Sequence, residues 1–301
     1  MKKVLITGGD GFIGRHLCRE CEAQNVEYLV ISNMVKENTA TARYADLLNY
    51  QDLEDALRSY MPDAVVHLAA IASPVHNDIA EVYRINVAGT ENLLNAAAAV
   101  LPAGTPFVLT STAGVYGNQE EEHLYEDLPF NPANHYSCSK MVTEVLSRQY
   151  TDRLDIRIVR PFNIIGVGQS ENFFIPKLAR RFADRVEEIQ LGNLGAVRDY
   201  VSVEFCAKVM LDLAVNTVNA PKVTNVCTGN GHSCQQVIDL LEKLTGHHPK
   251  INSTTEFIRS NEVWSMVGNT ERLNTIVQGR YQSQSLESIL TGLLQSYLPQ
   301  N

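Results

Sequence analysis

The sequence predicts an α/β protein, a doubly wound parallel sheet followed by a smaller C-terminal α/β lobe. Three observations carry this expectation. Short β-branched, apolar runs alternate with helical stretches; the first run passes without a gap into a glycine triplet and a helix; and beyond RPFN at 160–163 the rhythm loosens. Alternating strands and helices make parallel sheets, whose ligands gather at the carboxyl ends of the strands, near the point where strand order reverses. Residues 1–165 are expected to form the sheet domain, completed by segments from about 199–226, and residues 166–301 the second lobe.

The first element is KVLIT, followed by Gly8, Gly11 and Gly14 and by a helix opening at Phe12 and Ile13. Gly8 permits a tight turn, Gly11 lets the backbone approach a pyrophosphate, and Gly14 lets the helix pack closely, while the free N–H groups of the helix start face the anion. A glycine triplet alone is also an ordinary turn. Its place directly after the first strand is what points to a dinucleotide. EYLVIS is the next strand, ending at Ser32 and Asn33, and QDLEDALRSY the next helix. DAVVHLA leads into a long helix from about Asp78 to Val100, and PFVLTS into the helix that carries HYSCSK, after which DIRIVRP closes the series. In the second lobe, IPKLARRFADR and residues 283–298 read as helices, and IQLG and RDYVSV as short strands. Ser233 with Gln236 makes a capping box for CQQVIDLLEKLT, which Gly246 can end. The loops of interest, GGDG, HLAAIAS and STAGVYG, fall at strand ends.

Tyr136 and Lys140 stand four residues apart on a helix, which brings a phenol and an ammonium onto one face. A positive charge beside a phenol favours phenolate, so such a pair is expected to exchange protons near neutrality. The spacing alone also describes a half-buried Tyr beside a solvated Lys. The glycine turn upstream is what gives the pair weight.

The 301 residues, 45% hydrophobic and 20% charged, are ample for a large core. A net charge of -9 argues against nucleic acid or an anionic membrane as partner, although a local cationic pocket can still hold an anionic substrate. MKK followed by VLI is too short for a signal segment, and no apolar run reaches membrane-spanning length, so a cytoplasmic location is expected. The six cysteines, at 18, 21, 138, 206, 227 and 234, are then expected to be reduced. Cys18 and Cys21 lie within the first helix without a second pair, and His247 and His248 read as surface residues, so no metal site is expected.

The order and spacing of TGGDGFIG, Asp46 in ADLLN, HLAA, Asn86 in NVAGT, STAGVYG, YSCSK, RPFN and RDYV resemble the extended short-chain dehydrogenases/reductases that act on nucleotide sugars, nearly end to end. The resemblance implies a Rossmann sheet, with Thr112 as catalytic hydroxyl, Tyr136 as general acid/base, and Lys140 as the group that lowers the Tyr pKa and binds the nicotinamide ribose. Ser111 is the neighbouring candidate. Thr112 is preferred because the family places this hydroxyl four residues before the Tyr of VYG, here Tyr116. The same comparison puts Asp46 and Leu47 at the adenine, Leu68, Ala69, Ala70 and Pro161 along the cofactor, and Asn86 behind the sheet, unless Asn86 is simply a buried structural residue. Asn163, Asn172, Arg198 and Arg259 match positions that grip the nucleotide diphosphate, where an arginine fork suits two phosphate oxygens. Ala72, Ser73 and Val75 are expected to line the sugar pocket.

Departures from the family narrow the reaction. Sugar nucleotide dehydratases carry an Asp-Glu pair directly after the catalytic Thr, and here that pair is Ala113-Gly114. Epimerising relatives add a Cys and a His, and the aligned positions are Gly114 and Phe173. What remains is hydride chemistry at one carbon. Similarity to GDP-4-dehydro-6-deoxymannose reductases implies reduction of a 4-keto-6-deoxy sugar nucleotide; a UDP-sugar 4-epimerase with bound NAD is the alternative, and a non-catalytic dinucleotide-binding regulator a third. NAD-preferring relatives place an Asp at the end of the second strand, whereas this chain has Ser32 and Asn33, with Arg15, Lys36 and Arg43 in reach, so NADP is expected over NAD. Relatives also dimerise through the Tyr/Lys helix and the helix before it, which implies a homodimer.

Overall fold

The computed structural model describes residues 1–72, 76–253 and 263–298. Among these, seven strands form one parallel sheet in the order β10-β6-β5-β4-β1-β2-β3. Its strands are β1 (Lys3–Thr7), β2 (Glu27–Ser32), β3 (Ala42–Tyr44), β4 (Ala64–His67), β5 (Thr105–Thr110), β6 (Leu154–Pro161) and β10 (Val223–Val226). The central strands are buried on both faces, which is why their sequences run apolar instead of alternating. Alternation survives as a choice of face. Val4 and Ile6 join the core against α1 (Phe12–Ala23) and α7 (Val203–Leu211), whereas Leu5 joins the core against α2 (Tyr50–Tyr60) and α4 (Gly89–Val100). Strand order reverses between β1 and β4. The loops after these two strands therefore flank the crevice in which such sheets bind ligands.

The long helix expected from Asp78 to Val100 is interrupted. Helix α3 (Ile79–Tyr83), capped by Asp78, passes into a wide π turn over Arg84–Ala88 before α4 begins. Gly89 lies so close to Leu47 that a Cβ there would stand 3.0 Å from the Leu47 Cβ. The extra residue of the π turn carries Asn86, fully buried, toward the crevice. After β5, helix α5 (His135–Ser147) starts from Asn134, whose Oδ1 accepts the Ser137 N–H at 2.9 Å.

The second lobe is built around β9 (Val197–Ser202), which pairs with β7 (Asn163–Ile165), β11 (Gly231–Ser233) and β13 (Ser265–Met266). Residues 199–202 of the segment expected to complete the first sheet thus belong to the small sheet, and the completing strand is β10. Strands β8 (Glu188–Leu191) and β12 (Lys250–Ser253) form a separate pair. Helices α6 (Phe174–Ala183), α8 (Cys234–Thr245) and α10 (Leu286–Tyr297) share a third core, and the capping box at Ser233 and the left-handed Gly246 bound α8 as the sequence predicts. The remaining helix, α9 (Glu271–Val277), packs beside β10. No helix among the described residues is long and apolar enough to cross a membrane.

Candidate active site

The glycine turn leaves β1 at the crevice. Gly8 has φ +70°, and a Cβ on it would lie 2.7 Å from the backbone nitrogen of Ala69, so the turn presses against the loop after β4. The Gly11 N–H closes the turn onto the Gly8 carbonyl at 3.0 Å. At Gly14 a Cβ would stand 2.1 Å from the Gly8 carbonyl oxygen, so the helix packs on the turn itself. Helix α1 has no side-chain cap at its start. Its first N–H groups, with Phe12 and Ile13 on the first turn, are therefore left for an anion, which fits the pyrophosphate of a dinucleotide. Gly8, Ser32, Asn33, Asp46, Leu47, Leu68, Ala69, Ala70 and Pro161 all fall at or just after the carboxyl ends of β1, β2, β3, β4 and β6.

Ser111 and Thr112 follow β5. The Ser111 hydroxyl is buried and donates to Glu144 on α5, whereas the Thr112 oxygen accepts the Gly114 N–H at 3.1 Å. Across from them α5 presents Tyr136, half-buried, and Lys140, 1% exposed. Burial pushes the Tyr136 phenol up to about 12 and pulls the Lys140 ammonium down to about 8, with the Glu144 carboxylate opposing the second shift. This corrects the expectation of a phenol ionising near neutrality. Desolvation penalises the charged form of each group.

Beneath α5 lies a polar floor. Arg160, 3% exposed, donates to both oxygens of Glu144 at 3.0 and 2.7 Å, to the Tyr116 hydroxyl at 2.8 Å and to the Glu126 carbonyl at 2.9 Å. Tyr116 in turn donates to Asn225 Oδ1 at 2.7 Å. A second chain ties the sheet edge to the helix. The Thr7 hydroxyl accepts the Ala69 N–H at 3.1 Å and bonds His67 Nδ1 at 2.6 Å, and His67 Nε2 bonds the Thr90 hydroxyl at 2.8 Å. Thr90 gives its single proton to the Asn86 carbonyl at 2.5 Å, so Nε2 must donate, Nδ1 must accept, and Thr7 supplies the proton between them. Burial, aided by the Lys140 charge, holds His67 neutral by pulling its pKa to about 3. Asn86 binds both backbone groups of Ile71 and donates to Ser139 on α5 at 3.0 Å. Of these supports, the sequence reading missed His67, Glu144 and Arg160. The spacing of Glu144 from Lys140, one helical turn, is the signal that was available.

Asn163 opens β7, Asn172 precedes α6, and Arg198 lies half-buried on β9, donating to the Val197 carbonyl at 2.8 Å. Ser73, Val75 and Arg259 lie outside the described residues. Beside Arg198, the Asp199 carboxylate is fully buried and accepts from Thr228, Gly229 and Gly268 N–H groups and from the Thr228 hydroxyl, which locks β9 to the neighbouring loops. Between α6 and β8 is a cavity of about 550 Å³ whose lining includes Phe174, Lys177, Arg181 and Gln190. The sequence reading took these only as helix and strand residues. Two of the cations expected at a 2'-phosphate are hydrogen-bonded within the protein: Arg15 donates to the Asp10 and Gly168 carbonyls at 2.8 and 3.3 Å, and Arg43 to the Ser59 hydroxyl. His247 is also less free than expected, with Nε2 3.0 Å from the Val186 carbonyl and its ring edge-on to Phe182.

A glycine turn at the head of a doubly wound sheet, and a Tyr-Lys pair on the helix after β5, define an extended short-chain dehydrogenase/reductase, an NAD(P)-dependent enzyme. The chain belongs to the NAD dependent epimerase/dehydratase family, whose model matches residues 4–227. It is 34% identical to GDP-6-deoxy-D-talose 4-dehydrogenase of Aggregatibacter actinomycetemcomitans over 98% of each chain, and 31% identical to GDP-6-deoxy-D-mannose reductase of Pseudomonas aeruginosa over 96% of each. Among solved structures, RMD from Pseudomonas aeruginosa in complex with NADPH superposes with a TM-score of 0.84 at 28% identity, covering 99% of both chains.

Proposed function

We propose that this enzyme transfers hydride at C4 of a nucleotide-linked 6-deoxy sugar, reducing a 4-keto group of the GDP-4-dehydro-6-deoxymannose type and oxidising the alcohol in reverse. The observation that carries this reading is that, among the described residues, Tyr136 has no second acid-base pair beside Thr112. Elimination of water needs a second acid and base next to Thr112. Ala113 is buried there, and a Cβ on Gly114 would lie 2.4 Å from the Ser137 hydroxyl oxygen, so the site has no room for that pair. Two relatives named for GDP-linked 6-deoxy sugars, matched nearly end to end, support the substrate class.

The reduced nicotinamide supplies the hydride when bound. Tyr136, protonated at neutral pH, gives its proton to the oxygen developing at C4, and Lys140, still charged below about 8, stabilises the phenolate left behind. Thr112 is the hydroxyl placed to hydrogen-bond the same oxygen, since Ser111 is spent on Glu144. Arg198, Asn163 and Asn172 face the diphosphate in this reading, and Lys177 and Arg181, which line the cavity between α6 and β8, are further cations for the nucleotide. A second copy packs against α5 and the helical segment before it, α3 through α4, with Ile79 and Val145 among the exposed apolar residues.

The test is to mix the enzyme with reduced dinucleotide and GDP-4-dehydro-6-deoxymannose, following nicotinamide absorbance and the sugar product. Stoichiometric oxidation with a 4-hydroxy product is the expected result. Interconversion of C4-epimeric sugars without net cofactor change would replace it with an epimerase.

A further inference from the structure

We infer that Asp10 selects the dinucleotide, favouring NAD(H) over NADP(H) by supplying from the glycine turn the carboxylate that the end of β2 lacks. The inference rests on the dinucleotide reading of that turn. In parallel register Thr7 pairs with Ile31, so the turn and the residues after β2 leave the sheet side by side. The turn also touches β2 itself, because a Cβ on Gly9 would stand 2.4 Å from Val30 Cγ2. Across this junction the Ser32 hydroxyl donates to Asp10 Oδ2 at 3.1 Å and accepts the Met34 N–H at 3.1 Å. Its one proton is committed. Ser32 therefore cannot donate to a phosphate while Asp10 stays in place.

The adenosine ribose of a dinucleotide lies between the turn and the end of the second strand, where an acidic group binds the 2'-hydroxyl and an arginine accommodates a 2'-phosphate. Asp10 is exposed, and its Oδ1 accepts from no described residue, so it is free to take the proton of a 2'-hydroxyl. A 2'-phosphate there meets a like charge. The cations that could offset it are bonded to other acceptors, Arg15 to the Asp10 and Gly168 backbone carbonyls and Arg43 to Ser59. The missing Asp at Ser32 is thus made good from a different element, and the expected preference for NADP reverses.

Calorimetric titration of NADH and NADPH into the wild type, Asp10→Asn and Ser32→Ala tests this without turnover. The wild type is expected to bind NADH at least about tenfold more tightly than NADPH, Asp10→Asn to shrink that ratio by strengthening NADPH, and Ser32→Ala, which leaves the carboxylate charged, to keep or widen it. Equal or tighter NADPH binding by the wild type overturns the inference and leaves the dinucleotide site standing. So does a ratio unchanged in Asp10→Asn, or one that shrinks in Ser32→Ala. Binding of neither dinucleotide by the wild type overturns the site itself. Should Asp10→Asn fail to fold, Asp10→Ala, which also removes the charge, gives the same comparison.

Discussion

The floor beneath the Tyr-Lys helix and the mouth of the second lobe are built on opposite plans. Under α5, Ser111, Glu144, Arg160 and Tyr116 are buried and every one of them is hydrogen-bonded to another, so the helix that carries Tyr136 is tied down through Glu144. At the mouth, Lys177 and Arg181 stand on the outer side of α6 and line an open cavity. In the proposed reaction the first region sets where a proton goes. The second can only set how well a ligand is held. Saturated polar networks in low dielectric are rigid and costly to break, whereas exposed charges act through screened attraction.

If that contrast holds, damage in the first region must appear in turnover or stability and damage in the second in KM. The largest effect is expected from Tyr136→Phe, which removes the only proposed proton donor. Turnover should fall by about 10³-fold while dinucleotide affinity by calorimetry is kept. Glu144→Gln comes next. It leaves the Arg160 charge buried without its carboxylate, so chemical denaturation should show a loss of about 3 kcal/mol. The same variant sharpens the electrostatic account. Lys140 has a pKa pulled to about 8, so it is charged below that pH and neutral above it, and kcat/KM for reduction should fall as pH rises through about 8. Glu144 pushes that pKa up, so in Glu144→Gln the fall should begin at lower pH. A profile that does not move would separate the floor from the chemistry.

The two regions also differ in how far they can be read from the chain. The glycine turn and the Tyr-Lys pair are local, because a backbone at φ +70° and a Cβ clash at 2.1 Å demand glycine at Gly8 and Gly14, and one helical turn sets the distance from Tyr136 to Lys140. The parallel sheet and the α8 caps are legible for the same reason. The polar floor is not, since Arg160, Glu126 and Asn225 meet only once β6, the loop after β5 and β10 are assembled. The phenol pKa was misjudged because a sequence gives the charge beside Tyr136 but not the depth at which both sit. Asp10 was passed over because its partner, Ser32, lies 22 positions away on the neighbouring strand. The cavity at α6 escaped because amphipathic periodicity marks the buried stripe of a helix and says nothing of what its other face confronts.

The smallest effect is the one that decides whether the mouth belongs to the site at all. Lys177 lines the cavity between α6 and β8, and a solvated ammonium facing a phosphate or a base contributes modestly. Lys177→Ala should raise KM for the sugar nucleotide about tenfold, with kcat and the binding of dinucleotide little changed, because a contact made equally before and during hydride transfer is lost from both states. A fall in kcat at constant KM would mean that Lys177 acts on the reacting end, and the division between a rigid floor and a holding mouth would then have to be redrawn. No change in either would move the nucleotide out of this cavity, leaving Arg198 on β9 as the described cation to examine for the diphosphate.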